Sequence, residues 1–118
     1  MPRKPSDSPP LKPAAFHILL ALAAHDSHGY AIMQAVRDQS NGAVPLRTGS
    51  FYRHLAQLMD DGYVAESSTA RPEDDDPRRG AYYRLTARGH KALVQERARL
   101  AGLVEALDRL RPAPRGGA

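Results

Sequence analysis

The amino-acid sequence predicts a mainly α-helical domain carrying one small antiparallel β-hairpin. Three observations lead there. Apolar residues recur at threes and fours in four separate stretches, the mark of helices with one buried face. Two short segments, YVAES at 63–67 and AYYRL at 81–85, alternate in the manner of half-buried strands. Residues that start or stop helices stand between these stretches, among them Pro13, Asn41-Gly42, Gly62 and Thr86.

The first helix begins at Pro13, whose fixed φ suits the first helical position. Phe16, Leu19, Leu20 and Ala23 make its expected buried face. His25-Asp26-Ser27 breaks it and offers Asp26 or Ser27 as the cap of a second helix. That helix runs from about His28 to Gln39, is expected to bury Tyr30, Met33 and Val36, and stops at Asn41-Gly42. Ala43-Val44-Pro45-Leu46 has room for no more than a bridge of strand. Thr48 or Ser50 caps a third helix, with Phe51, Leu55, Leu58 and Met59 as its apolar stripe and Gly62 as a left-handed stop. Its other face shows Tyr52, Arg53, His54 and Gln57. The polar link from Ser68 to Gly80 makes the two strands a long-looped hairpin, and Thr86 caps a last helix running to about Leu110. The expected organisation is a disordered arm at 1–11, a domain at 12–86, a C-terminal helix at 87–111 and a disordered tail at 112–118.

Composition narrows the function. The chain has 118 residues and 12.9 kDa, enough for one domain. Lys and Arg number 17 against 13 Asp and Glu, a net charge of +4. Of the basic residues 14 are arginine, whose guanidinium suits bidentate phosphate and base contacts, although a compositional habit gives the same count. Without cysteine there is no disulfide framework, Cys-ligated zinc or thiol nucleophile. Two Phe, five Tyr and no Trp make a stacking platform for single strands a poor fit. With no long apolar run and no signal-peptide core, no membrane partner and a cytoplasmic location are expected. The segment His25-Asp26-Ser27-His28 lacks both a telling metal-ligand spacing and the strand–elbow–helix setting of a nucleophilic serine. No Gly-rich loop with a Lys offers a nucleotide site. The expectation is therefore no catalytic residue, no metal and no cofactor.

The order helix, helix, helix, strand, loop, strand, helix is that of a winged helix-turn-helix. An α-helix fits the major groove of duplex DNA, and the second helix of such a pair is the one inserted. Here that is the helix starting near Thr48, so double-stranded DNA is the expected partner.

His28-Gly29-Tyr30, the run TGSFYRHL at 48–55, DGYV at 61–64 and YYRLTARG at 82–89 occur in this order and spacing. Through them the chain, over roughly residues 11 to 95, resembles the PadR-like transcriptional regulators. The resemblance implies a dimeric repressor on operator DNA, often answering to a small-molecule effector, with a short C-terminal helix used for pairing. One departure concerns the wing. Arg71, Arg78, Arg79 and Arg84 are balanced by Glu73 and Asp74 to Asp76, and the second strand opens on Gly80-Ala81 rather than on basic residues. Residues 47 to 54, by contrast, carry two Arg, one His and no acid.

Arg53 and His54 lie one turn into the exposed helix and are the first candidates for base-edge or phosphate contact, the alternative being simple solvation. Thr48, Gly49 and Ser50 can present N–H groups and hydroxyls to a phosphate or serve as a plain cap. Tyr52 can reach a phosphate or sit half-buried, Gln57 shares the exposed face, and Arg78 and Arg79 are expected on the DNA backbone. In the last helix Leu93, Leu100, Leu103, Val104, Leu107 and Leu110 keep one face. From Thr86 to Leu110 it would run about 37 Å at 1.5 Å per residue, longer than a three-helix body can cover. Leu100, Leu103, Val104, Leu107 and Leu110 are therefore expected against a second copy of the chain. Two rivals stand beside this reading: a winged helix used as a protein–protein module, and a small-ligand sensor with Phe16 as its one obvious aromatic.

Overall fold

The computed structural model describes residues 10–67 and 80–114. In chain order these form α1 (Pro13–Ala24), β1 (Ser27–His28), α2 (Gly29–Gln39), α3 (Thr48–Asp60), β2 (Val64–Ser67), β3 (Tyr82–Leu85) and α4 (Ala87–Asp108). The arrangement is a winged helix-turn-helix. Helices α1, α2 and α3 close around one core, and β2 and β3 pair antiparallel beside them with Val64 opposite Leu85 and Ser67 opposite Tyr82. The sheet has a third strand that the sequence reading missed. β1 pairs with the other edge of β3, Ser27 opposite Tyr83 and His28 opposite Tyr82, giving the order β1-β3-β2.

The core joins Ile18, Leu19 and Leu22 of α1, Ile32 and Val36 of α2, Phe51, Leu55 and Leu58 of α3, and Val64 of β2. Phe51 is wholly buried, and its truncation to Ala removes about 3–5 kcal/mol. The stripe on α3 follows the expectation except at Met59, which is 37% exposed. On α1 the buried face is turned from the expected one. Ala14, Ile18, Leu19, Ala21 and Leu22 are inside, whereas Leu20 and Ala23 are exposed and Phe16 is half-buried. The cause lies in the sequence itself: FHILLALAA is apolar all round, so spacing cannot select a side. On α2, Tyr30 points outward, 68% exposed, and takes a hydrogen bond from Gln34 Nε2 at 2.7 Å, while Ile32 fills the core.

Helix ends decide how the elements meet. Neither Asp26 nor Ser27 caps α2. His28 does, its Nδ1 accepting from the Ala31 amide at 3.4 Å, while Ser27 is buried in β1 with its Oγ 2.9 Å from His25 Nδ1. At the far end Asn41 adopts φ +51°, with Asn41 N–H on Asp38 O and Gly42 N–H on Arg37 O, so these two carbonyls of the last turn are satisfied. Residues 43–46 form no strand; the Val44 amide bonds the Ser40 hydroxyl instead. α3 closes the same way: Gly62 has φ +80°, its N–H bonds Met59 O, and the Tyr63 N–H bonds Leu58 O. The N-cap of α3 is Arg47, one residue before the expected Thr48, with Ser50 Oγ accepting the Arg47 amide at 3.2 Å. Thr86 caps α4 as expected, accepting from the Gly89 amide at 3.0 Å. The helix ends at Asp108, two residues short of Leu110.

Candidate nucleic-acid interface

At 100° per residue, the side of α3 opposite Phe51, Leu55 and Leu58 carries Gly49, Arg53, Ala56 and Asp60, all exposed. Thr48 is exposed and Ser50 half-buried at the start of the helix. Gly49 and Arg53 thus share the outward face of the N-terminal half, with Thr48 and Ser50 at its flanks on the first turn. Its acids, Asp60 and Asp61, gather at the other end, so only the first two turns suit a polyanion. The positive end of the helix dipole lies there too, with the exposed Arg47 beside it.

Tyr52 and His54 stand on opposite flanks of that face. Tyr52 is 49% exposed and packs edge-on against Phe51, ring centroids 4.9 Å apart. Its hydroxyl reaches the first residue of α2: a β-carbon on Gly29 would stand 2.8 Å from it. A side chain at position 29 would have to push the tip of Tyr52 aside, a contact that glycine avoids. Burial raises the Tyr83 hydroxyl above its ordinary pKa of 10.0, helped by Tyr52 and Glu66. The Tyr83 phenol therefore stays neutral at physiological pH and can act as a hydrogen-bond donor.

His54 faces the other way, half-buried beside a cavity of about 240 Å³ that it shares with Leu11, Lys12, Gln57 and Asp61. Burial, then Arg53, then Lys12 hold its imidazole below the ordinary 6.5. This favours the neutral imidazole, which can both donate and accept. Gln57 is committed within the helix, its Nε2 donating to Asp61 Oδ1 at 3.1 Å. Arg78 and Arg79 lie outside the described residues. One cation escaped the sequence reading, Lys12, placed against His54 only by tertiary packing, while Arg84, counted with the wing, is exposed on β3 next to the half-buried Tyr83. Among the described residues no cluster of His, Asp and Glu could hold a metal ion, and no helix is long and apolar enough to cross a membrane.

Comparison with known proteins matches residues 18–95 to the model of the transcriptional regulator PadR-like family. The chain belongs to that family. Similar solved structures support the fold of this family member. The smu.1704 protein of Streptococcus mutans is 25% identical with a TM-score of 0.67, covering 89% of this chain and 98% of that one. A PadR family transcription regulator of Clostridium difficile is 20% identical with a TM-score of 0.68, covering 83% and 97%. The Bacillus subtilis PadR in complex with operator DNA is 20% identical with a TM-score of 0.55, and the match spans 91% of this chain but 53% of that one. No curated protein sequence matches the chain. Transcriptional regulation is thus the family's function, and the winged helix-turn-helix expected from the sequence is the fold observed.

Proposed function

We propose that the chain is a homodimeric repressor that recognises a specific operator in double-stranded DNA through α3. The observation that carries this is the outward N-terminal half of α3, where Arg47, Thr48, Gly49, Ser50 and Arg53 stand exposed or half-exposed with no acid among them. In helix-turn-helix proteins this end of the recognition helix contacts base edges. A PadR structure bound to operator DNA shares the fold and supports the choice of ligand. Tyr52 and His54, on the two flanks of the helix, are assigned to phosphate or base-edge contacts, and Arg78 and Arg79 to the DNA backbone.

The pairing surface is α4. Every residue from Arg97 to Asp108 is exposed in the single chain, and the large apolar ones share a side: Leu100, Leu103, Val104 and Leu107, with Leu110 just beyond. At 100° per residue they continue the stripe that starts with the half-buried Leu93. A two-fold pair joined here sets two copies of α3 about one turn of duplex apart. A small-molecule effector would act on that separation, because α4 follows β3 with only Thr86 between them. Occupation of the operator blocks transcription.

Fluorescence anisotropy with duplex DNA from upstream of the protein's own gene, against a random duplex of equal length, tests this. Salt varied from about 50 to 200 mM separates counterion release from recognition. A preference of about a thousandfold is the expected result. Equal, salt-sensitive binding to both duplexes removes the claim of a specific operator upstream of this gene, and no binding to either removes DNA as the partner.

A further inference from the structure

Glu96 is the single buried charged side chain among the described residues, 5% exposed on the leucine-bearing side of α4. A carboxylate in such a place is tolerated only if its oxygens are paired. Both are. Oε1 takes the guanidinium of Arg99, one turn along the same helix, and Oε2 accepts the backbone N–H of Leu11 at 2.9 Å. The second bond joins residues 85 positions apart and ends at the root of α1. Leu11 is followed by Lys12, the N-cap of α1, whose own side chain makes no capping bond. Leu11 and Lys12 line the cavity that also holds His54, on the flank of the helix assigned to DNA.

We infer that Glu96 is a positioning residue: by fixing the Leu11 amide, the C-terminal helix places Lys12 against His54 and so sets the positive flank of α3. The inference deepens the proposed function and rests on its choice of α3 as the DNA helix. It also gives α4 a direct line to that helix. A shift of α4 along its axis moves the Glu96 carboxylate off the Leu11 amide and releases the ammonium two bonds of packing away.

The groups facing His54 are Arg53 and Gln57 on its own helix, Asp61 at that helix's C-cap, Lys12 at the start of α1, and Tyr63 after the α3 stop. The test is nuclear magnetic resonance on the full chain without DNA, reading hydrogen exchange at the Leu11 amide and the titration of His54. In Lys12→Ala the His54 pKa is expected to rise, since one repelling cation has gone. In Glu96→Ala it is expected to rise equally with Lys12 intact, with Leu11 exchanging at least about tenfold faster. The double variant should add nothing further to the His54 titration. Glu96→Gln, whose amide oxygen still accepts from Leu11, should restore the parental His54 titration, and it serves alone if the Ala variant unfolds. An unchanged His54 titration in Glu96→Ala, or an unchanged Leu11 exchange rate, overturns the inference. On operator DNA the Lys12→Ala and Glu96→Ala variants should each lower the salt slope by about one. A loss in one and not the other also overturns it. If the parent binds no DNA, the proposed function falls while the titration still decides the role of Glu96.

Discussion

The Thr86 hydroxyl donates a 2.6 Å hydrogen bond to the carbonyl oxygen of Gly62 while accepting the Gly89 amide at 3.0 Å. One side chain thus ties the stop of α3 to the start of α4. The Thr86 amide adds a bond to Tyr63 O at 3.1 Å. Thr86→Ala removes both side-chain bonds and should destabilise the protein by about 1–2 kcal/mol, as other lost N-caps do. Thr86→Ser keeps the hydroxyl and should stay near the parent. Urea unfolding at fixed protein concentration reads both; equal stabilities for Ala and Ser would mean that neither bond contributes.

Gly89 sits in the first turn of α4 against the chain that leaves α3. A β-carbon there would overlap the Tyr63 carbonyl oxygen and come within 2.6 Å of Leu85 Cδ1. The first obstacle is backbone and cannot swing aside, so Gly89→Ala must move α4 off the sheet. The expected loss is at or above the upper end of the roughly 1–3 kcal/mol typical of overpacking. Gly102 on the same helix has nothing within 4 Å of such a carbon, and Gly102→Ala should instead gain up to about 1 kcal/mol from helix propensity. Thermal unfolding of the two variants should therefore move in opposite directions. Two shifts of the same sign would contradict this packing.

These junctions also show what the sequence could disclose. The run from Thr48 to Gly62 was legible because Phe51, Leu55 and Leu58 are its large apolar residues on one side and glycine ends it. α1 was not, because an apolar helix carries no record of which side faces in. β1 escaped because two residues hold no alternation; it exists only because β3 has a second edge to fill. Within the candidate site, Arg53 and the helix start could be located from spacing alone. Lys12 and Glu96 could not, since a lone cation before a helix and a lone acid within one both look solvated until the fold joins them.

The acid limb of stability should have two parts with the same sign. His54 has a folded pKa below 6.5, so the unfolded chain takes up a proton first as pH falls. The stability associated with the neutral imidazole is present above about pH 6.5 and is lost as pH falls through the lower folded value. Glu96 is held below its ordinary 4.5, mainly by the hydrogen bond from Arg99 and also by the Leu11 amide, against the opposing effect of burial. Its contribution is complete above about pH 4.5 and disappears as pH falls through its folded value. Urea midpoints between pH 3 and 8 should show that His54→Gln flattens the upper step alone and Glu96→Gln the lower step alone. A parental curve that rises on going from pH 7 to 5.5 would contradict the His54 assignment.

Arg53 carries the sharpest prediction for DNA. It stands at the centre of the outward face of α3 with its guanidinium exposed, so its removal disturbs no core contact. Arg53→Ala should leave the unfolding curve unchanged and weaken operator binding by about 1–3 kcal/mol, the worth of one bidentate base contact. Because the lost contact is to a base, binding to random duplex should fall far less. A uniform loss on both duplexes, with a salt slope smaller by about one, would move Arg53 from base reading to the phosphates.

Pairing through α4 can be tested without DNA. Leu103 and Leu107 are 49% and 62% exposed in the single chain, so the fold of one copy does not depend on them. If a second copy covers them, each contributes about 1.5–3 kcal/mol on burial, and replacing both with lysine also brings like charges together across the two-fold axis. Sedimentation velocity of the parent should give twice the chain mass of 12.9 kDa, and Leu103→Lys with Leu107→Lys should give the single mass with its helical content kept. The same variant should bind an operator half-site as the parent does and lose the added affinity of the full palindrome, because two linked heads bind with a high effective concentration and separate ones do not. A parent that sediments at the single mass would exclude the dimer, and the exposed stripe of α4 would then have to be covered by a different protein.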